Sequence, residues 1–353
     1  MAWFEWFTTQ LESLGFTAST ADPSLFVFKF GPDTLYLLLY VDDIILTGTS
    51  PTLITTLISN LKHTFELKDL GPLQYFLGLQ LQYHTHGFSI HQTKYAIDLL
   101  TCFNMLTCKP SSTPYSSTTR LTKTQGHPLS NPTSFRILVG ALQYLTFTRP
   151  DLSFAVSQVC QFMHAPTDVH LMVAKQILWY LRGTLHCGFL FQPGSLCLQA
   201  YVNADWAGDP LDRRSTFGYV VFLDSTPISW VSKKQCTVSR SSTEVEYRSL
   251  ASAIAGVFWI QMVLKDLGLF LPNPPLIWCD NLSTLAMASN LVFHARTKRI
   301  EVDYHFVWEK VVHRDVIVKF VSTTQLAYIL TKCLPSSNFQ RLRDNLLLPF
   351  KLL

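Results

Sequence analysis

Paired cysteines, long apolar runs and charge are what this 353-residue sequence has little of. Its eight cysteines, at 102, 108, 160, 187, 197, 236, 279 and 333, form no C-x-x-C pair and no zinc-ligand spacing. They read as thiols of a reducing compartment, not as a metal or disulfide framework. No unbroken apolar run reaches the roughly 18–20 residues of a membrane helix. The longest candidate, Leu250 to Leu264, is interrupted by Ser252, Gly256 and Gln261, so no membrane is expected. The opening residues lack a basic stretch, an apolar core and a small-residue cleavage site, so no secretory signal is expected and the chain is placed inside the cell, in cytoplasm or nucleus. Internal repeats are absent too.

What is present suits packed domains. Hydrophobic residues make up 48% and charged ones 15%, which excludes a disordered tail and allows two or three cores. The net charge of +4 is unevenly spread. Residues 1–100 carry four Lys/Arg against nine acids, 101–200 seven against two, and the remainder seventeen against thirteen. A basic middle and end suit a polyanionic partner.

Lys109 to Thr119, rich in proline and hydroxyl residues, reads as a linker, and Gln192 to Ser195 as a second boundary. The resulting blocks are 1–108, 109–194 and 195–353. In the first, Phe4 to Leu14 has helical spacing up to Gly15, and Leu35 to Val41 and Ile44 to Thr47 form a hairpin with Asp42 and Asp43 in its turn. Leu53 to Phe65 is a helix, and Gln74 to Tyr83 with Phe88 to Ile90 a strand pair. The second block is helical over Ser134 to Thr146, Leu152 to Met163 and Val169 to Arg182. The third opens with strands Leu198 to Val202, Thr216 to Leu223 and Ile228 to Val231. A helix over 242–266 follows, then strand 275–279, a short helix, a helix over 301–313, strand 316–321 and a helix over 325–333. Strands first, then strands alternating with helices, make an α/β layered domain.

Two carboxylates at the tip of an apolar hairpin are either solvated turn acids or ligands for the divalent cations of nucleotidyl transfer. Leu14-Gly-Phe-Thr, Ala21-Asp-Pro-Ser-Leu-Phe, Leu39-Tyr-Val-Asp-Asp-Ile-Ile-Leu-Thr-Gly, Leu70-Gly-Pro-Leu-Gln-Tyr-Phe-Leu-Gly-Leu and Lys94-Tyr-Ala-Ile-Asp-Leu-Leu favour the second reading. This block resembles the palm of copia-type LTR-retrotransposon reverse transcriptases. The resemblance makes Asp42 and Asp43 the metal-binding pair. It also calls for a third aspartate in a motif like D-V-K-x-A-F-L, which these residues do not contain. The expectation is a partial palm, without its fingers and first strand and without polymerase activity. Arg136-Ile-Leu-Val-Gly-Ala-Leu-Gln-Tyr-Leu and Phe162-Met-His-Ala-Pro-Thr are similar to the family's helical thumb- or connection-like segment. There Arg136, Arg149, Lys175 and Arg182 either face a duplex or lie on solvated helix faces.

The third block carries Asn203-Ala-Asp-Trp-Ala-Gly-Asp, Ser239-Arg-Ser-Ser-Thr-Glu-Val-Glu-Tyr, Trp278-Cys-Asp-Asn, His294-Ala-Arg-Thr-Lys-Arg-Ile and Gln325-Leu-Ala-Tyr-Ile-Leu-Thr-Lys. It resembles the family's ribonuclease H domain. The resemblance implies two Mg2+ or Mn2+ ions held by four carboxylates, with an RNA–DNA hybrid as substrate. Helical phase selects Glu246, in step with Leu250, Ala253 and Val257, over Glu244; its rival role is a capping box with Thr243. Asp280 ends a strand, and Asn281 can take the helix cap and leave it free. The other two family positions are degenerate. Asn203 stands for an aspartate, and Tyr328 for another in a pattern like L-A-D-I-x-T-K. Asp205 lies two residues on, about 6.6 Å along the strand, and Asp205 or Asp303 could compensate. Lys233, Lys234, Arg296, Lys298 and Arg299 are candidate phosphate contacts. The expected fold is α/β and α+β: partial palm, helical connector and ribonuclease H-like domain. The expected activity is a remnant's, with catalysis impaired; an active nuclease and a non-catalytic nucleic-acid-binding module are the alternatives. The sequence leaves the oligomeric state open.

Overall fold

A computed structural model describes residues 2–116, 118, 120–290, 300–322 and 325–349. Contacts divide the chain into two units, 1–74 with 258–271, and 75–257 with 272–353. This grouping differs from the three sequence blocks.

In the first unit, α1 (Ala2–Ser13) precedes Gly15, whose φ of +92° is a left-handed conformation that glycine adopts without a Cβ penalty. Strands β1 (Thr17–Ala18), β2 (Leu25–Phe30), β3 (Asp33–Tyr40) and β4 (Asp43–Gly48) pair in that order, all antiparallel, and α2 (Pro51–Thr64) follows. The two-residue alternation of β3 turns Leu35, Leu37 and Leu39 inward, where they share a core with Phe7, Leu11, Leu57, Leu61 and Phe65. Residues 258–271 belong to this unit through Asp266, which accepts from the Ser19 hydroxyl (2.6 Å) and the Thr20 amide (2.9 Å), and through Leu267, whose carbonyl takes the Tyr36 hydroxyl at 2.7 Å. The hairpin departs from expectation in one respect. Its loop is Val41–Asp42, and Asp43 is already in β4, opposite Tyr40. Val41 has a φ of +55°, an unusual conformation for a β-branched residue and a local strain of the kind found at functional loops.

The second unit begins with β5 (Tyr75–Phe76), β6 (Leu79–His84), β7 (Gly87–His91) and α3 (Thr93–Cys102). Helices α4 (Pro132–Leu145), α5 (Ser153–Cys160) and α6 (Asp168–Gly183) then lead to β8 (Cys187–Phe191), which pairs with β7 in a sheet ordered β8-β7-β6-β5, with the C-terminal strand Leu348–Pro349 on the outer edge of β8. That pairing is why residues 75–108 group with the later blocks. Next come β9 (Leu198–Asp205), β10 (Thr216–Leu223), β11 (Thr226–Lys234) and α7 (Ser242–Asp266), then β12 (Leu276–Cys279), α8 (Leu282–Ser289), α9 (Glu301–Val312) and β13 (Ile317–Phe320). The expected last helix over 325–333 is a shorter 3-10 helix, Leu326–Leu330, followed by α10 (Ser336–Asp344) and β14 (Leu348–Pro349). The central sheet runs β11-β10-β9-β12-β13, antiparallel through its first three strands and parallel from β9 to β13. This is the α/β layered arrangement expected of the third block.

One core joins Leu100, Leu142, Ile177, Leu181 and Phe189 to Val220 of β10 and Leu330. Arg149, read from sequence as either facing a duplex or lying on a solvated helix face, is sealed inside it. Its guanidinium donates to both Asp151 oxygens (2.9 and 2.7 Å) and to the Thr184 carbonyl (2.9 Å), while the Tyr180 hydroxyl donates to Asp151 at 2.5 Å. A buried cation needs this full set of acceptors to offset its lost hydration. Arg136 and Arg182 spend donors on backbone carbonyls, of Met163 and His164 and of Leu106 respectively.

By length and composition alone α7 is apolar enough to cross a membrane, although half of its most apolar window is buried in the fold. Val245, Leu250, Ala253, Ile254 and Val257 are fully buried along it, the stripe of a helix packed in a protein core.

Candidate functional site

Parallel strands bring the site together. β9 and β12 are neighbours, with Val202 opposite Cys279, so Asn203, Asp205 and Asp280 all emerge at one end of the sheet. The Ser249 hydroxyl on α7 donates to the Asn203 carbonyl at 3.1 Å, fixing the start of that helix against β9.

The start of α7 is capped by Ser241 and Glu244, not by Thr243 and Glu246. The Glu244 amide donates to the Ser241 hydroxyl (3.1 Å), and the Glu244 carboxylate accepts from the Arg240 amide (3.0 Å). Glu246 is thereby released from the Thr243 capping role. It is buried, its Oε1 accepts from the Ala204 amide at 2.9 Å, and its Oε2 has no partner among the described residues. Burial first, then the nearby carboxylates of Asp280 and Asp205, push its carboxyl up to about 8, against the Ala204 hydrogen bond and the Lys332 charge.

Asn281 caps α8, accepting from the Thr284 amide at 3.0 Å, so Asp280 faces the site. There it meets a phenol: the Tyr328 hydroxyl donates to Asp280 Oδ2 at 2.6 Å. Burial, and then this bond to a carboxylate, raise the Tyr328 hydroxyl above its ordinary range, so it stays a donor. Asn203 is buried, and its amide donates to the Thr331 hydroxyl. Burial raises the Asp205 carboxyl, and Lys332 opposes that shift. The Lys332 ammonium also sits 3.5 Å from the Tyr328 ring centroid, a cation–π contact.

Ligand-type atoms of Glu246, Cys279 and Asp280 lie within 4.8 Å of one another. The Cys279 thiol is pushed up by burial and then by Glu246, and a protonated thiol is no ligand for a hard cation. The two-ion set that the resemblance implies calls for charged oxygens from four positions; here Asn203 offers an uncharged amide whose nitrogen donates to Thr331, and Tyr328 a phenol that donates to Asp280. These residues do not fit a two-ion set.

Thr331, Lys332 and Cys279 belong to the site and were not singled out from the sequence. The first two stand in the matched string ending at Lys332, where only Tyr328 drew notice. Asp303 is not in that group of ligand atoms; burial raises its carboxyl and the Arg248 charge opposes that shift.

Lys234 is held by Asp209 (2.5 Å) and Asp212 (2.9 Å), so it neutralises acids of its own fold, while Lys233 is exposed on the edge strand β11. Arg296, Lys298 and Arg299 lie outside the described residues. Asp42 and Asp43 are exposed at their hairpin, and no third metal-ligating side chain joins them among the described residues.

Residues 1–117 match the family described as reverse transcriptase (RNA-dependent DNA polymerase). The chain is 46% identical over 341 residues to the retrovirus-related Pol polyprotein from transposon RE1 of Arabidopsis thaliana, covering 96% of this chain and 23% of that protein. It thus spans about a quarter of the length of the polyprotein it matches. An uncharacterized mitochondrial protein of Arabidopsis thaliana is 50% identical over 227 residues, 64% of this chain and 94% of that protein. Among solved structures, LC11-RNase H1 isolated from compost superposes with a TM-score of 0.28 at 11% identity, covering 36% of this chain and 86% of that one.

Proposed function

The chain belongs to the retrovirus-related Pol polyproteins of copia-type transposons, and from that premise we propose a nucleic-acid-binding role in which hybrid-cleaving chemistry is impaired. The family's reactions are the copying of RNA into DNA and the removal of RNA from RNA–DNA hybrids. The chain's own contribution is a scaffold for the hybrid.

One observation carries this reading: the Tyr328 hydroxyl on Asp280. A carboxylate that should face a cation instead accepts a proton donor, and the donor cannot itself supply charge at neutral pH. Asn203 extends the same logic, because its amide keeps a carbonyl oxygen but brings no charge. Mg2+ or Mn2+ would find Glu246 and Asp280, with Asp205 close enough to feel Glu246. A second reading, residual nuclease activity with Asp205 compensating, rests on that proximity.

Binding to a hybrid is expected to fall steeply with salt, since phosphate contacts release counterions. Lys233→Ala should weaken binding uniformly across sequences and reduce the slope of log K against log salt by about 1. Fluorescence anisotropy with a labelled hybrid across a salt series reads both. No affinity even at low salt would remove the nucleic-acid role.

A further inference from the structure

Strands β9 and β11 both run antiparallel to β10, with Thr216 opposite both Asp205 and Lys234, so they finish at the same end of the sheet. Asn203, Asp205 and Asp280 emerge at that end. Two loops therefore flank the site there, residues 206–215 after β9 and 235–241 after β11.

Trp206 leads the first loop. It is 51% exposed, so about half of a large apolar side chain is open to solvent. The ring is nonetheless fixed. Its Nε1–H donates to the Ser239 carbonyl of the second loop at 3.2 Å, which satisfies the indole's only polar group. The first loop is itself closed, by the Ala207 amide on the Ser215 hydroxyl (2.8 Å) and the Arg213 amide on the Asp209 carbonyl (3.0 Å). An exposed ring that is already ordered loses little freedom when a ligand settles on it.

The charges on these loops narrow the choice of ligand. Lys234 takes up Asp209 and Asp212, and Arg248 takes up Glu244 at 3.0 Å. The Asp205 carboxylate is folded against Gly208, in the space that a Cβ there would fill. Arg213, Lys233 and Arg240 remain exposed and form no ion pair among the described residues. Arg240 directly follows the residue whose carbonyl holds the indole. The acids are thus neutralised within the fold, and the cations beside the open ring are not.

We infer that this rim holds an unpaired base of a single nucleic-acid strand, stacked on Trp206, with Arg240 on an adjoining phosphate. The inference rests on the nucleic-acid role proposed above and narrows it, because bases within a duplex are stacked on one another and present no free face. An aromatic platform beside cations holds single strands with little regard to sequence, since every base has a π-face and every nucleotide a phosphate. The strand is either DNA or RNA.

Fluorescence anisotropy on the full chain tests this with labelled strands of about eight nucleotides: oligo-dT, oligo-rU and an abasic strand, beside the RNA–DNA hybrid. The abasic strand carries the phosphates without the bases. Oligo-dT or oligo-rU should bind about tenfold tighter than the abasic strand, the scale of one stacked base. The tighter of the two assigns the strand to DNA or RNA, and equal affinity assigns it to both. Trp206→Ala should remove about tenfold from the base-bearing strands and nothing from the abasic one, while Trp206→Phe, which keeps an aromatic face, should retain most of the affinity. Arg240→Ala should weaken all the single strands alike and lower the slope of log K against log salt by about 0.7. Equal affinity for base-bearing and abasic strands overturns the inference and leaves hybrid binding standing. So does a folded Trp206→Ala that binds oligo-dT and oligo-rU as the unaltered chain does. Binding to none of the probes, the hybrid included, overturns the nucleic-acid role and this inference with it.

Discussion

Replacing both degenerate positions, Asn203→Asp with Tyr328→Asp, is expected to install Mg2+-dependent cleavage of an RNA–DNA hybrid. The gain should be roughly 100-fold or more over the unaltered chain, the scale on which preorganised charge-stabilising groups act. The reasoning is local. The scaffold already places Glu246 and Asp280 at adjacent element ends, and Asn281 already takes the cap that would otherwise occupy Asp280. What is missing is charge at 203 and 328, and removing the phenol also frees Asp280 Oδ2. Four carboxylates in one site repel, so the double variant should melt earlier in EDTA than the unaltered chain. Mg2+ should restore it, because an ion bound only by the folded state stabilises it by mass action. Each single variant should gain far less, since either one leaves the set a ligand short. A double variant that folds, binds hybrid and shows neither Mg2+ response would place the defect elsewhere.

Glu246 gives the second large effect, in stability. Its carboxyl is pushed up to about 8 in the fold, chiefly by burial, from an ordinary value of 4.5. The folded state therefore holds this proton more tightly than the unfolded state. Below about pH 4.5 both states are protonated and the group costs nothing. As pH rises from there to about 8 the folded state loses stability, and above that the loss levels off. Each tenfold difference in proton affinity between the two states is worth about 1.4 kcal/mol, so the cost is of order 3–5 kcal/mol. Glu246→Gln keeps an acceptor for the Ala204 amide and removes the titration. Relative to the variant, the unaltered chain should lose stability steadily between pH 5 and 8, as read by denaturant midpoints. Asp205 shifts in the same direction in both proteins, so only the difference between them is assigned to Glu246. Superimposable pH profiles would remove the buried-carboxyl account.

Periodicity made much of this fold legible. The bounds read for α7, 242–266, are those observed, and the phase of its apolar stripe chose Glu246 over Glu244. Angle around this helix translates into burial because Val245, Leu250, Ala253, Ile254 and Val257 are buried along one side of it. Asn203 and Tyr328 drew the reading of degenerate positions for another reason: a missing charge is visible in the letter itself. What the letters withheld were partners. Arg149 and Lys234 look like surface cations in sequence, but Asp151 and Asp209 claim them through folding. The strand Cys187–Phe191 was missed because its five residues are defined by pairing with β7, almost a hundred positions earlier. Gln325 stood inside a matched string, yet that its buried amide has no partner among the described residues is a property of its surroundings alone.

The most direct test of the site is Mg2+-dependent cleavage of an RNA–DNA hybrid by the unaltered chain, run beside Asp280→Asn. Cleavage at the no-enzyme background in both is the result predicted from the Tyr328–Asp280 bond and the Asn203 amide. Robust cutting by the unaltered chain that disappears in Asp280→Asn would contradict it.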